Sequence, residues 1–182
     1  MSPSVSTIIS VLAVLTILAQ IGVVVWLVAY AFTDLRRNTI LRLLARHAYA
    51  LALIVSFGAT AGSLFLSSYA QFVPCSLCWW QRMFMFPIPI ILAIAMWKKR
   101  REVEDYILSL SIFGGVIALY HTYLQYGGAA FTSCGLAGSG TSCSSRLVFE
   151  FGYITIPLMT LTAFALIIIL MVSRKIAEAK KI

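Results

Sequence analysis

The chain has 182 residues, of which 61% are hydrophobic and 11% charged, and its formal net charge is +8. That balance excludes a water-soluble globular domain and leaves a membrane protein. It also excludes a nucleic-acid function, because a basic charge with no soluble face to carry it has no such partner to meet.

Apolar stretches with few or no charges run over Ile8–Phe32, Ala48–Val73, Met83–Trp97, Tyr106–Phe131 and Phe151–Ser173. An α-helix rises ~1.5 Å per residue, so about 20 apolar residues cross the hydrocarbon core. Four of the runs meet that length directly. The third meets it when its helix begins near Cys75 and carries one charge, Arg82. The expected architecture is therefore all-α, a polytopic membrane helix bundle in a single membrane domain. Ile8–Phe32 has no basic residue before its apolar core and a basic flank after it, so it is expected to be an anchor inserted N-terminus out rather than a secretory signal.

The basic residues set the expected topology. Arg36, Arg37, Arg42 and Arg46 follow the first run; Lys98, Lys99, Arg100 and Arg101 follow the third; Arg174, Lys175, Lys180 and Lys181 follow the fifth. Twelve of the 14 Lys and Arg residues thus fall on one side, which the positive-inside rule makes cytoplasmic. His47 lies in the first basic loop and is expected to be solvated there.

All four cysteines, Cys75, Cys78, Cys134 and Cys143, then fall on the outer side, where disulfides persist. Cys75 and Cys78 form a Cys-x-x-Cys pair. As a staple such a pair contributes little, because the stabilisation grows only with the logarithm of the loop closed. As a redox pair it is well built, since a helix N-terminus favours a thiolate and Pro74 is suited to the approach to a helix. Zinc is the other use of this spacing, with Cys134 and Cys143 as the further ligands. Cys134 and Cys143 lie in the Gly-, Ser- and Thr-rich segment Tyr126–Arg146, expected to be a mobile outer loop that presents a disulfide to a visiting protein. A local structural bridge is the plainer reading of that pair.

Polar residues inside the spans add candidates. Arg82 is four residues after Cys78 and shares its helical face. It is either a snorkelling anchor or a fixed positive charge beside a thiolate or an electron acceptor. His121 and Gln125 lie one turn apart near the outer end of the fourth span, at the depth of Cys78 and Arg82, with which they are expected to converge. Taken alone, such a His is often only bonded to a neighbouring helix. Tyr69, Trp79, Trp80, Tyr120, Tyr123, Tyr126 and Tyr153 read as an outer aromatic belt. Pro87 and Pro89 are expected to kink the third helix and Pro157 the fifth. Ser144–Phe151 is expected to form a short interfacial helix with Leu147, Val148, Phe149 and Phe151 toward lipid.

Pro74-Cys75-Ser76-Leu77-Cys78-Trp79-Trp80-Gln81-Arg82 resembles the P-C-x-L-C-x-x-Q-R motif of DsbB-type disulfide bond formation proteins. His121-Thr122-Tyr123-Leu124-Gln125 is similar to the H-T-x-L-Q stretch of their third helix, and Phe151–Pro157 to the start of the last helix in the Bacillus-type BdbC branch. The resemblance covers about residues 36–173. It implies a four-helix redox bundle over residues 35–182, with 1–34 as an added N-terminal transmembrane anchor. The separation of Cys134 and Cys143 is shorter than in the enterobacterial branch. Vitamin K epoxide reductases share the four-helix plan, but their loop cysteines precede the Cys-x-x-Cys, whereas here they follow it.

The resemblance implies a protein-dithiol:quinone oxidoreductase in the bacterial inner membrane. Cys134–Cys143 would oxidise a DsbA-like, thioredoxin-fold carrier outside the membrane. Electrons would pass to Cys75–Cys78, and from Cys78 to a membrane quinone, either ubiquinone or menaquinone, held by Arg82, His121 and Gln125. No metal is part of that reading. The alternative from a different class is a non-enzymatic membrane scaffold with two structural disulfides or a zinc site.

Overall fold

The computed structural model describes residues 3–32, 39–99, 102–129 and 143–179. Among the described residues seven α-helices follow in order: α1 (Pro3–Phe32), α2 (Thr39–Arg46), α3 (Ala48–Ser68), α4 (Ser76–Met85), α5 (Pro87–Trp97), α6 (Glu104–Gln125) and α7 (Ile156–Ala179). Five helices are long and apolar enough to cross a membrane, with α4 and α5 together forming one of them over Ser76–Trp97. The expected membrane helix bundle is what the chain forms. Helices satisfy their backbone groups internally, the condition for crossing lipid.

α4 and α5 meet at Phe86, immediately before Pro87. Pro87 has no N–H to donate and its ring crowds the carbonyl one turn back, so the third span breaks where the sequence predicts a kink. The fifth span differs from expectation. Pro157 is the second residue of α7, where a missing N–H costs nothing, so it starts the helix rather than kinking it.

The core lies between α3, α5, α6 and α7, around Ala48, Ala52, Ile88, Leu92, Ile107, Ala118, Phe164 and Ile167. α6 contributes a face of Ile107, Ser111, Gly114, Ala118, His121 and Gln125, all buried, at three- and four-residue spacing. The end of that one face carries the functional candidates. Gly114 sets the approach of α7: a Cβ there would lie 2.2 Å from the Phe164 ring. Small residues that let membrane helices pack closely replace the hydrophobic drive available in water.

α1 lies against α7 through a stripe of Val5, Ile9, Ala13, Thr16 and Trp26, while Val11, Leu15, Leu18 and Val25 are exposed. Polar bonds fix its register. Gln20 Nε2 donates to Thr162 Oγ1 at 3.3 Å, the Tyr153 hydroxyl donates to Gln20 Oε1 at 2.9 Å, and Trp26 Nε1 donates to Ser173 Oγ at 2.9 Å. The short amphipathic α2 turns the stretch between the first two spans partly helical, and His47 after it is exposed as expected.

At the end of the bundle away from the cysteines, Glu104 of α6 is buried. It accepts a hydrogen bond from the Tyr49 hydroxyl at 2.5 Å and pairs with Arg174 Nε at 2.8 Å, while the Arg174 guanidinium lies 4.1 Å from the centre of the Tyr49 ring. The pair joins α3, α6 and α7. Removing one partner of a buried pair leaves the other charge uncompensated, at a cost of ~3–5 kcal/mol. Glu104→Ala is therefore expected to lower the thermal unfolding midpoint in detergent markedly, and Glu104→Gln, which can still accept from Tyr49, by less. Equal midpoints for Glu104→Ala and the parent would remove the pair from the list of what holds the bundle.

Candidate functional site

The site begins with how α4 starts. The chain leaves α3 through Gln71 at φ 58 and runs extended to Pro74, so Cys75 arrives with φ −73 and ψ 172 as the N-cap of α4. Its sulfur accepts the backbone N–H of Cys78 at 3.4 Å, the bond an N-cap side chain makes to the third residue of its helix. Cys78 is thus in the first turn, as the sequence predicts. Both sulfurs are thiols, 3.0 Å apart; Cys75 is buried and Cys78 half-buried.

From Cys78 the α4 face continues through Gln81, Arg82 and Met85, and all four line a cavity of about 80 Å³. α6 supplies His121 and Gln125 to the same cavity, and Cys143 lines it as well. The predicted convergence of Cys78, Arg82, His121 and Gln125 is present. The remaining wall is largely apolar and includes Leu66, Phe72, Phe86, Val148 and Pro157.

Within that group the direct contacts differ from expectation. His121 addresses Cys75 rather than Cys78: its Nε2 lies 3.7 Å from Cys75 Sγ and 3.2 Å from the Cys143 carbonyl oxygen. Its Nδ1 is 3.0 Å from Gln81 Nε2, so the amide N–H₂ donates to Nδ1 and the ring's own N–H lies on Nε2. Gln81 is a fixed position of the P-C-x-L-C-x-x-Q-R motif, but the sequence alone assigned it no role in the site. Its signal is its place three residues after Cys78 on the same face as Arg82.

Arg82 does not snorkel away from the bundle. Its Nε donates to Ser63 Oγ and its Nη2 to the Ser63 carbonyl, both at 2.9 Å, and its guanidinium lies 5.4 Å from the Trp79 ring centre. Ser63 of α3 is the second partner that the sequence did not mark: Ser56, Thr60, Ser63 and Ser67 share one helical face, and nothing in the sequence says which of them meets Arg82. Gln125 Nε2 donates to the Ser145 carbonyl at 3.1 Å, which leaves Oε1 buried with no hydrogen-bond partner among the described residues.

Cys143 is buried and disulfide-bonded, and its partner lies outside the described residues. Its sulfur is 3.7 Å from Ser76 Oγ, and it packs in one cluster with Cys75 and Leu124. Cys134 and most of the loop expected over Tyr126–Arg146 lie outside the described residues. The expected interfacial helix over Ser144–Phe151 does not form. That stretch turns back on itself, with Glu150 bridged to Ile154 and positive φ at Phe151 and Gly152. Val148 is drawn inward against Val5, Ile9 and Leu66, while Leu147, Phe149 and Phe151 stay exposed. Six of the seven belt aromatics are exposed, and Tyr120 is half-buried.

The sequence profile described as "Disulfide bond formation protein DsbB" matches residues 45–173. The chain is 41% identical to "Disulfide bond formation protein C" of Bacillus subtilis (strain 168) over 118 residues, covering 65% of this chain and 85% of that protein. It is 41% identical to the "SPbeta prophage-derived disulfide bond formation protein B" of the same organism, covering 65% of this chain and 79% of the relative. It is also 36% identical to a "Probable disulfide formation protein" of Metapseudomonas resinovorans, covering 65% and 83%. No solved structure matches it at a significant level. With a profile match that spans the cysteine pair, the cavity and most of the last helix, the chain belongs to the DsbB family of disulfide bond formation proteins.

Proposed function

We propose that this multi-pass membrane disulfide oxidoreductase reoxidises a thioredoxin-fold dithiol carrier on the outer side of a bacterial inner membrane and passes the electrons to a membrane quinone, ubiquinone or menaquinone. The observation that carries this reading is the Cys75–Cys78 dithiol in the first turn of a membrane-crossing helix, sharing one cavity with Arg82, His121, Gln125 and the disulfide-bonded Cys143.

In the first exchange a carrier thiolate attacks the Cys134–Cys143 disulfide, and the carrier leaves oxidised with Cys134 and Cys143 as thiols. The packing of Cys143 beside Cys75 supports Cys143 as the thiol that then attacks Cys75 of an oxidised Cys75–Cys78 pair, with Cys78 as the leaving sulfur. Cys134 resolves the Cys143–Cys75 mixed disulfide, which leaves Cys75 and Cys78 as the dithiol and restores Cys134–Cys143. The carrier-facing sulfur is then Cys134 and the inward one Cys143.

A quinone supplies the acceptor for two electrons and two protons from that dithiol. The residues fit such a group. Arg82 brings a fixed cation to the cavity, where charge acts strongly, and its bonds to Ser63 hold it in place. Gln125 Oε1 is a buried acceptor without a donor among the described residues, suited to a hydroxyl formed on reduction. His121 carries an N–H beside Cys75, suited to donate a hydrogen bond to a thiolate formed there. The cavity of about 80 Å³ exceeds the ~10–15 Å³ that one water needs but not the ~150 Å³ that admits benzene, so a ring enters only as the walls part. Residues 1–34 are the added anchor of this enzyme and 35–182 its redox bundle.

Purified protein with a reduced thioredoxin-fold carrier and quinone is expected to consume quinone absorbance in step with carrier thiols. Arg82→Gln is expected to raise the apparent KM for quinone or slow its reduction, with carrier exchange at Cys134–Cys143 nearly intact. Wild-type quinone kinetics in that variant would reduce Arg82 to a structural tie to Ser63. Cys143→Ser is expected to trap the carrier on Cys134; trapping on Cys143 in a Cys134→Ser variant would reverse the two roles. Membrane-impermeant thiol reagent is expected to label the reduced cysteines on intact cells, and labelling only after permeabilisation would overturn the proposed orientation.

A further inference from the structure

We infer that the reduced Cys75–Cys78 dithiol and His121 together form a binding site for one thiophilic divalent cation, Zn²⁺, which exists only while the two cysteines are reduced. The inference rests on the dithiol and its histidine and is independent of which acceptor takes the electrons.

The ligand atoms are already gathered. Cys75 Sγ, Cys78 Sγ and a ring nitrogen of His121 all lie within 4.8 Å of one another. Zinc bonds of ~2.3 Å to sulfur and ~2.05 Å to nitrogen at tetrahedral angles put two sulfurs about 3.8 Å apart and a sulfur about 3.6 Å from a nitrogen. Cys75 Sγ to His121 Nε2 is 3.7 Å, already at that spacing. The sulfurs, at 3.0 Å, have to open by about 0.8 Å, and Cys78 Sγ has to close on the ring, both within reach of a side-chain rotation on the first turn of α4. Two sulfurs and one nitrogen leave the fourth position open, the arrangement of zinc sites that keep a water or exchangeable ligand. The cavity on which all three residues lie gives the ion a path and the water a place.

The surroundings suit this set. Binding exchanges two thiol protons for the ion, with no change in oxidation state, and the two thiolates cancel the ion's charge in an apolar site. His121 Nε2 gives up its hydrogen bond to the Cys143 carbonyl, and its proton moves to Nδ1. Gln81, 3.0 Å from Nδ1, turns its amide to present Oε1 in place of the N–H₂ and so orients the ligating ring, as outer-shell partners of zinc histidines do. Arg82 stays engaged with Ser63 and adds no competing ligand.

Oxidation removes the site, because disulfide sulfurs are not thiolate ligands. Oxidant and metal therefore compete for the same two sulfurs, and Zn²⁺ holds the pair reduced.

The test uses full-length protein carrying Cys134→Ser and Cys143→Ser, so that one reducible pair remains, in lipid nanodiscs. Zn²⁺ titrated against a chromogenic chelator is expected to bind once per chain in the reduced form and not after oxidation. Gln81→Leu is expected to weaken binding about tenfold and His121→Ala by at least as much. Because His121 is buried, Co²⁺ added to the same reduced Cys134→Ser, Cys143→Ser protein with His121 intact provides a second measurement. Tetrahedral d–d bands with sulfur-to-metal charge transfer support the site, and an octahedral spectrum overturns it. Equal Zn²⁺ affinity in reduced and oxidised protein, or in His121→Ala and its parent, overturns it as well.

Discussion

Cys75 has to be the residue that caps α4, and the rest of the site follows from that constraint. Its sulfur takes the N–H of Cys78, which brings the two sulfurs side by side at the entrance of a membrane span. Because α4 starts there, the helical repeat carries Gln81, Arg82 and Met85 onto the face that Cys78 begins. Pro74 before the cap and Pro87 after the helix bracket α4 as a short segment of the span.

Lipid offers no water to rescue a polar group, so the polar side chains of the bundle are engaged largely with one another. Arg82 is held by Ser63, His121 by Gln81 and the Cys143 carbonyl, and Gln20, Trp26 and Tyr153 by partners between α1, α7 and the turn that precedes α7. Against that background Gln125 Oε1 stands out, because it lines the cavity with no donor among the described residues. Thr60, Ser111 and Thr155 hydroxyls are also without a hydrogen-bond partner among those residues, but Thr60 and Ser111 stand in helices with their own backbone carbonyls nearby and Thr155 precedes α7 away from the α4–α6 face, whereas the Gln125 amide oxygen faces the cavity. The polar side chains around the cavity, the Gln125 carbonyl oxygen apart, are thus held in place by protein partners.

The spans were legible because length and apolar character suffice to define them, and the placement of Arg82, His121 and Gln125 at the same end of the bundle as Cys78 followed from counting turns. What counting could not reach was azimuth between helices. Whether His121 meets Cys75 or Cys78 depends on the rotation of α6 about its axis, and the α6–α7 approach depends on one glycine, Gly114, under Phe164. Ser63 was invisible for the same reason, since its role exists only through Arg82 on another helix. The stretch Ser144–Phe151 was misread as a helix because its apolar residues were counted without its turn. The left-handed backbone at Phe151 and Gly152 reverses the chain there and cannot continue a helix.

The first helix shows how an element outside the family match still bears on the site. The match begins at residue 45, so α1 lies beyond it. Yet α1 is tied to α7 and to the turn that leads into it by polar bonds, which an anchor serving only to hold the chain in lipid does not need. Its first turns place Val5 and Ile9 against Leu66 and Val148, and both of those line the cavity. On that flank the wall is two layers thick, and what would otherwise be lipid contact is protein. Interior packing transmits small displacements rather than absorbing them, so the position of α1 helps to set where Leu66 and Val148 stand around the cavity. The added helix is therefore part of the bundle's packing around the cysteine site rather than an appendage to it.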